Sequence, residues 1–159
     1  MAASPDSGRP VLIAYDGSDQ AKRAIGEAGR VLGGGRRAVV VTVREPIESF
    51  DFAGLGGATT LDPATVSAMQ DAAQNEATAV AEEGAALARE AGFLAEPRVE
   101  VSGTAWQEIV RVGDELDADV IAIGSRGRTG LKKVLLGSVA SAVAQHSGRS
   151  VLIVHPAAG

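Results

Sequence analysis

The chain has 159 residues, of which 45% are hydrophobic and only 3% aromatic, and its formal net charge is −5. A chain of this length forms one domain with a sizeable core, which Val, Ile, Leu and Ala must build because aromatic residues are scarce. Cysteine is absent, which excludes disulfides, thiolate metal sites and a cysteine nucleophile. The negative net charge argues against a nucleic-acid-binding surface, which needs clustered excess cations.

The first eight residues, MAASPDSG, are small and polar and lack the apolar segment of a signal peptide. They predict a disordered tail over residues 1–8, followed by a single domain over 9–159. No segment approaches the roughly 20 apolar residues that a membrane span requires. The sequence therefore predicts a cytoplasmic protein with no membrane association.

The first half of the chain opens with a predicted strand and helix. Residues 11–15 form a short apolar run typical of a buried strand. Ser18 is a candidate N-cap for a helix that continues to about Leu32, where the glycines at 33–35 end it. Residues 39–43, which are rich in β-branched side chains, predict a second buried strand.

A long glycine-rich segment and a long helix follow. Residues 45–62 predict an extended loop, which in a compact domain is either functional or disordered. The next segment, 63–91, predicts a helix that ends at Gly92. Its apolar positions recur every three or four residues and form one stripe, made of Val66, Met69, Ala73, Ala77, Val80, Gly84, Leu87 and Ala91.

The rest of the chain alternates in the same way. Pro97 lies at the margin of a third predicted strand, where an edge strand tolerates it, and Thr104 is a candidate N-cap for the next helix. The remaining predicted elements are strands over 98–102, 120–123 and 150–154 and helices over 105–116 and 138–146. Five apolar strands separated by helices predict an α/β fold, a single doubly wound parallel sheet.

A glycine-rich loop after the fourth strand is the most informative motif. Gly124, Ser125, Arg126 and Gly127 are followed by nine residues and then by Gly137–Ser138 at the start of a helix. Glycines let the backbone approach a bulky anion, and a helix N-terminus offers unpaired N–H groups to phosphate. The two serines add hydroxyl donors, and the loop also carries Arg128, Lys132 and Lys133. Taken alone, the same residues also suit a flexible loop with solvated cations.

Other familiar motifs are absent or misplaced. The chain has no Gly-Lys dipeptide and therefore no Walker A loop, and it has no G-x-S-x-G nucleophile motif. The glycines at 33–35 precede a predicted strand, which is the wrong context for a dinucleotide fingerprint. The two histidines, His146 and His155, lie near the C-terminus, away from the predicted site. No catalytic residue is assigned.

Four markers in order give the chain a specific resemblance. The pattern G-x2-G-x9-G-[ST] from Gly124 to Ser138 resembles the ATP-binding branch of the universal stress protein family. The segment 16–18 (Asp-Gly-Ser) is similar to that family's opening motif, 42–43 (Thr-Val) to the end of its second strand, and 101–104 to the entry of its third helix. The similarity covers residues 9–156.

The resemblance implies a strand order of 3-2-1-4-5, a Rossmann-like fold and an ATP site across strands one and four. It implies that the phosphates are held by Gly124, Gly127, Gly137 and Ser138, assisted by Arg126, Arg128 and the backbone at Val139. Asp16 would lie near the ribose or a phosphate-bound Mg²⁺, the backbone of Val43 would pair with adenine, and Ala14 and Gly103 would line the cleft. Thr42 stands where many relatives carry His.

The residues taken alone permit plainer roles. Asp16 is typical of a turn or a helix cap, Val43 of a core position and Gly103 of a turn at the end of a strand. Three hypotheses about function therefore stay open. They are a nucleotide-binding regulator, a slow ATPase or relative of the ATP pyrophosphatases, and a ligand-free dimeric scaffold. AMP and a cyclic nucleotide are the alternatives to ATP, and the apolar strand at 151–154 is the expected homodimer contact.

Overall fold

Helices and strands alternate through the parts of the chain that this computed structural model describes, residues 8–47, 61–126 and 136–157. In chain order they are β1 (Val11–Ala14), α1 (Asp19–Leu32), β2 (Arg37–Arg44), α2 (Pro63–Glu90), β3 (Leu94–Val101), α3 (Ala105–Glu115), β4 (Val120–Gly124), α4 (Ser138–His146) and β5 (Ser150–Val154). All strand pairs are parallel, and their order is β3-β2-β1-β4-β5. The predicted α/β class and strand order are confirmed. The tail predicted for residues 1–8 lies outside the described residues except for Gly8.

Both faces of the sheet are covered by helices. Along β1, Val11 and Ile13 pack into the core on the side of α1 and α2. Leu12 and Ala14 pack into a second core on the side of α3 and α4. Because both faces are buried, the central strands are continuous apolar runs instead of alternating patterns.

The predicted ends of α1 are confirmed. The hydroxyl oxygen of Ser18 accepts a hydrogen bond from the backbone N–H of Ala21 at 3.1 Å. At the other end, Gly33 has a φ of +81°, a left-handed conformation that glycine adopts without strain. The helix therefore begins and ends at the residues whose local chemistry predicts it.

The long helix α2 buries only part of its predicted apolar stripe. Its first buried residue is Ala77, whereas Val66 and Met69 near its N-terminus remain partly exposed. A helix of 28 residues is roughly 42 Å long, whereas an eight-residue strand such as β2 spans roughly 26 Å. The helix is longer than the strands, and its buried residues all lie in its second half.

The third strand is longer than the sequence predicts. It begins at Leu94, and Pro97 lies in its middle instead of at its margin. The backbone N–H of Leu94 donates to Arg36 and that of Ser102 donates to Arg44, so even-numbered residues of β3 point their N–H groups towards β2. The nitrogen of Pro97 therefore faces away from the sheet at its edge, where no ladder bond is lost.

The start of α3 also differs from its prediction. Thr104 occupies the N-cap position, but its side chain makes no capping hydrogen bond. Instead, the hydroxyl oxygen of Ser102 accepts a hydrogen bond from the backbone N–H of Thr104 at 3.1 Å. Among the described residues, no helix is both long enough and apolar enough to span a membrane.

Candidate functional site

A cleft of about 440 Å³ opens at the carboxyl ends of β1, β2 and β4. In an open parallel sheet this is the position where ligands bind, because connections diverge there to opposite faces. The cleft is lined by Ala14, Tyr15, Asp16, Ala21, Val41, Val43, Glu45, Ala105, Ile109, Ile123, Gly124, Ser125, Arg126, Gly137, Ser138, Val139 and Ala140.

The turn after β1 places a carboxylate in this cleft. Oδ1 of Asp16 accepts a hydrogen bond from the backbone N–H of Ser18 at 2.9 Å. The next residue, Gly17, has a φ of +81°, so the chain can reverse there into α1. One oxygen of Asp16 thus shapes the turn, as the plainer interpretation predicts. The other oxygen makes no hydrogen bond within the described residues, and Asp16 is one of the residues that line the cleft.

Tyr15, which precedes this carboxylate, ties β1 to two helices. Its hydroxyl donates to Oε1 of Glu83 on α2 at 2.8 Å, and Nζ of Lys22 on α1 lies 2.8 Å from the same oxygen. Burial, and then the hydrogen bond to Glu83, raises the pKa of Tyr15 above its usual value. The hydrogen bonds from Lys22 and then Tyr15 lower the pKa of Glu83. This three-residue group was not predicted from the sequence.

The end of β2 contributes a buried hydroxyl and a partly exposed residue that lines the cleft. Oγ1 of Thr42 donates to the backbone oxygen of Tyr15 at 2.9 Å, and Thr42 is buried. Val43, the next residue, lines the cleft and is partly exposed. The hydroxyl of Thr42 thus has a defined partner at the point where β1 and β2 separate.

The end of β4 leaves buried polar atoms without partners. Ser125 is completely buried, yet among the described residues neither its hydroxyl nor Nε of Arg126 has a hydrogen-bond partner. The backbone N–H of Gly137 donates to the oxygen of Ser125 at 2.6 Å, which brings the start of α4 against the end of β4. A Cβ on Gly124 would lie 3.2 Å from the backbone oxygen of Gln20, so a side chain at this position would crowd α1.

The N-termini of the helices differ in how they are capped. Side chains of Ser18 and Asp62 cap α1 and α2. In contrast, no described side chain makes a capping hydrogen bond to α3 or α4, and the N-cap of α4 is Gly137. Residues from the first turns of both uncapped helices line the cleft. Their unpaired N–H groups and partial positive charge make this end of the cleft suitable for an anion.

The structure brings most of the predicted site residues to one cleft. Those that line it are Ala14, Asp16, Val43, Gly124, Ser125, Arg126, Gly137, Ser138 and Val139. Gly103 is not among the lining residues; Ala105, two positions later, lines the cleft in that part of the chain. Gly127 and Arg128 lie outside the described residues, as do Lys132 and Lys133.

Both histidines lie away from the cleft. His146, at the end of α4, stacks on Trp106 of α3 with ring centroids 4.7 Å apart. The backbone oxygen of His155 accepts a hydrogen bond from Nε of Arg23 at 3.3 Å. Neither residue lines the cleft. Within the described parts of the chain, no group of three or more His, Cys, Asp or Glu side chains could hold a metal ion.

Comparison with known proteins identifies the family. The family model described as "Universal stress protein family" matches residues 8–155, which is nearly the whole chain. The chain belongs to the universal stress protein family. A curated relative, universal stress protein YxiE of Bacillus subtilis, is 30% identical over 154 residues, covering 91% of this chain and 97% of its own.

Solved structures of universal stress proteins share the fold. The structure of MJ0577 from Methanocaldococcus jannaschii has a TM-score of 0.73 at 23% identity and covers 95% of this chain and 98% of its own. A universal stress protein solved in complex with cAMP has a TM-score of 0.62 at 26% identity and covers 92% of this chain and 96% of its own.

Proposed function

We propose that this universal stress protein binds an adenine nucleotide, ATP, in the cleft and acts by nucleotide occupancy instead of fast catalysis. The observation that carries the proposal is the start of α4, which has no capping side chain. It opens onto the cleft beside the hydroxyl of Ser125 and Nε of Arg126, two buried polar atoms that have no partner within the described segments. A bound phosphate would satisfy all of these groups.

The proposed phosphate end consists of the start of α4 and the end of β4. The backbone N–H groups of Ser138 and Val139 in the first turn of α4 would donate to phosphate oxygens. Gly124 and Gly137 let the backbone come close. The sequence motif adds Gly127 and Arg128 to this proposed set; both lie outside the described residues.

The proposed base and ribose end lies between β1 and β2. The backbone of Val43 would pair with the edge of adenine, and Ala14 would line the cleft. The free carboxylate oxygen of Asp16 would accept a hydrogen bond from the ribose. Ala105 occupies the wall that the resemblance assigns to Gly103.

An accompanying Mg²⁺ would be held chiefly by the nucleotide. Mg²⁺ typically binds through one or two carboxylates together with substrate phosphates. Asp16 and Glu45 are the carboxylates that line the described part of the cleft, so the chain fits such an indirect role. The ion would neutralise phosphate charge, and Asp16 would contact it through the nucleotide or a water molecule.

Thermal unfolding tests the proposal directly. ATP at about 100 times its Kd should stabilise the protein by about 2.7 kcal/mol, which raises the Tm by several degrees. AMP and cAMP, tested in parallel, determine the number and form of the phosphates, since a relative is solved with cAMP. No shift with any of the three would contradict the proposal.

A matched pair of variants locates the phosphate. Gly137 has a φ of −67° and a ψ of 162°, which any residue can adopt. Gly137→Asp and Gly137→Asn would both cap α4, but only the aspartate adds negative charge where the phosphate would bind. The aspartate variant should lose at least tenfold more ATP affinity than the asparagine variant, measured by calorimetry. Equal affinities would place the phosphate elsewhere.

Turnover distinguishes occupancy from slow hydrolysis. We expect phosphate release from ATP to stay at the background rate for both the wild type and Asp16→Ala. Turnover above background that is lost in Asp16→Ala would favour the slow ATPase instead. Radiolabelled ATP over several hours gives the needed sensitivity.

The proposal also includes a cytoplasmic homodimer that forms through β5. This strand pairs with β4 on one side only, and Val151, Leu152 and Ile153 are partly exposed. The backbone oxygen of Val154 accepts a hydrogen bond from the N–H of Ser125, the residue just after β4, so alternation along β5 turns the N–H of Ile153 outward. Ile153→Pro should therefore remove a backbone hydrogen bond to a second copy without breaking a hydrogen bond between β5 and β4. The mass measured by light scattering should fall from that of a dimer to that of a monomer. A monomeric wild type would contradict the dimer, but not nucleotide binding.

A further inference from the structure

The hydrogen-bond ladder between β1 and β2 ends in an unusual way. The backbone N–H of Tyr15 donates to the oxygen of Val41 at 2.9 Å, which extends the parallel ladder one step past β1. In a regular parallel ladder the next bond would run from the N–H of Val43 to the oxygen of Tyr15. That bond is absent from the backbone contacts of the described residues.

A side chain takes the place of the missing bond. Oγ1 of Thr42 donates to the oxygen of Tyr15 at 2.9 Å, and both residues are buried. The backbone oxygen of Arg44 accepts a hydrogen bond from the N–H of Ser102, just after β3. Alternation along β2 therefore turns the N–H of Val43 the other way, towards the space beyond the end of β1. That space is the cleft, which Val43 lines.

We propose that Thr42 is a positioning residue that keeps the N–H of Val43 available to the nucleotide base. Its hydroxyl satisfies the oxygen of Tyr15, so the chain's own ladder does not consume the donor that the base needs. This inference rests on the proposed function. The N–H of Val43 can donate a hydrogen bond to a ring nitrogen that has a lone pair, such as N1 of adenine. It cannot donate to N1 of guanine, because that nitrogen carries a hydrogen atom.

Three variants test this role. Thr42→Val removes the hydroxyl and keeps the shape, Thr42→Ser restores the hydroxyl, and Thr78→Val is the matched control. Oγ1 of Thr78 also donates to a backbone oxygen, that of Gln74 on α2, but Thr78 is exposed and does not line the cleft.

We expect Thr42→Val to weaken ATP binding about tenfold, the usual effect of losing one hydrogen bond of this kind. Binding of inorganic tripolyphosphate should be unchanged, because the phosphate end of the cleft is not altered. The preference for ATP over GTP should fall. In the nucleotide-free protein, hydrogen exchange at the amide of Val43 should become slower, since that N–H can now bond to Tyr15. Thr42→Ser and Thr78→Val should behave like the wild type in all four measurements.

The outcomes separate the two proposals. Failure of the wild type to bind ATP and tripolyphosphate would overturn the proposed function, and with it this role of Thr42. A wild type that binds both, with unchanged ATP affinity in Thr42→Val, would overturn the positioning role alone. A parallel loss of both ligands in Thr42→Val, with unchanged exchange at Val43, would indicate a general structural effect and would also overturn it.

Discussion

The two ends of the sheet differ in whether their polar side chains have partners. At the amino end, charged side chains before the strands and at the C-terminal end of α3 pair with one another, and we call this group the amino-end clasp. It consists of Arg9, Arg36, Arg149, Asp114, Asp117 and Asp119. At the carboxyl end, the hydroxyl of Ser125 and Nε of Arg126 are buried without partners among the residues that the structure describes, which also supply no capping side chain to α3 or α4.

This difference supports the carboxyl end as the proposed ligand site. Nearly all buried polar groups in proteins are hydrogen-bonded, so a group of unpartnered ones marks a place where something else binds. The amino end also has a recess, of about 260 Å³, lined in part by Pro10, Arg37 and Leu94. Since no unpartnered buried side-chain atom of the described residues lies on it, a cavity alone does not identify the site.

The largest expected effect comes from the packing behind the carboxyl end. A Cβ on Gly84 of α2 would lie 2.6 Å from the ring of Tyr15 and 2.8 Å from Val40. Gly84→Ala should lower the free energy of unfolding by about 2 kcal/mol, measured by urea denaturation. Gly26→Ala is the control, because nothing lies within 4 Å of a Cβ on that helical glycine. It should raise stability by about 0.5 kcal/mol, and an equal response of the two variants would contradict the close packing.

Ser125→Ala should separate stability from binding. Removing a buried, unpartnered hydroxyl should raise the free energy of unfolding of the nucleotide-free protein by about 1 kcal/mol, while ATP binds more weakly. Ser102→Ala is the contrasting variant, because that hydroxyl accepts a hydrogen bond from Thr104, and its loss should lower stability. Destabilisation by Ser125→Ala would show that its hydroxyl already has a partner.

Because of the hydroxyl of Tyr15, we expect the free energy of unfolding to fall at alkaline pH. Its pKa is raised in the folded protein by burial and then by the hydrogen bond to Glu83. Its contribution is therefore fully present below about pH 10, the usual tyrosine pKa, and is lost as the pH rises further. Tyr15→Phe should cost about 1 kcal/mol at pH 7 and should flatten the loss of stability above pH 10. An unchanged alkaline profile would contradict this assignment.

The smallest effect is expected in the amino-end clasp. Hydrogen bonds from Arg149 lower the pKa of Asp117. The stability from this pair is therefore present above the usual Asp pKa of about 4 and is lost as the pH falls below it. Arg149→Met should lower the Tm slightly at pH 7 and reduce its fall on acidification, with ATP affinity unchanged. Arg30→Met, which removes a more exposed pair with Glu27, should have no measurable effect.

Local chemistry accounts for what the sequence could predict. Apolar runs identify central strands buried on both faces, and the Ser18 cap and Gly33 define α1, because these signals act between near neighbours. The sequence prediction made β3 too short because of Pro97. Proline fits inside a strand only where its nitrogen faces away from the neighbouring strand, and which positions face away depends on the order of strands in the sheet.

Contacts between distant segments account for the rest. Tyr15 and Glu83 are separated by 68 positions, so their hydrogen bond leaves no pattern in the sequence. The same holds for the hydroxyl of Thr42, which bonds 27 positions away. Gly103 belongs to a recognised motif, yet the curve of the chain into α3 brings Ala105 to the wall of the cleft instead. Motifs thus indicate which loops form the site, while the wall itself depends on how helices and strands pack.

The stack of Trp106 on His146 supplies a built-in optical probe. Trp106 is the only tryptophan in the chain, so all indole emission comes from this one position between α3 and α4. Its neighbour Ala105 lines the cleft, and the first turn of α4 lines it from the other helix. A shift between these helices changes the distance from indole to imidazole and therefore the emission, so the unlabelled protein can be followed in real time.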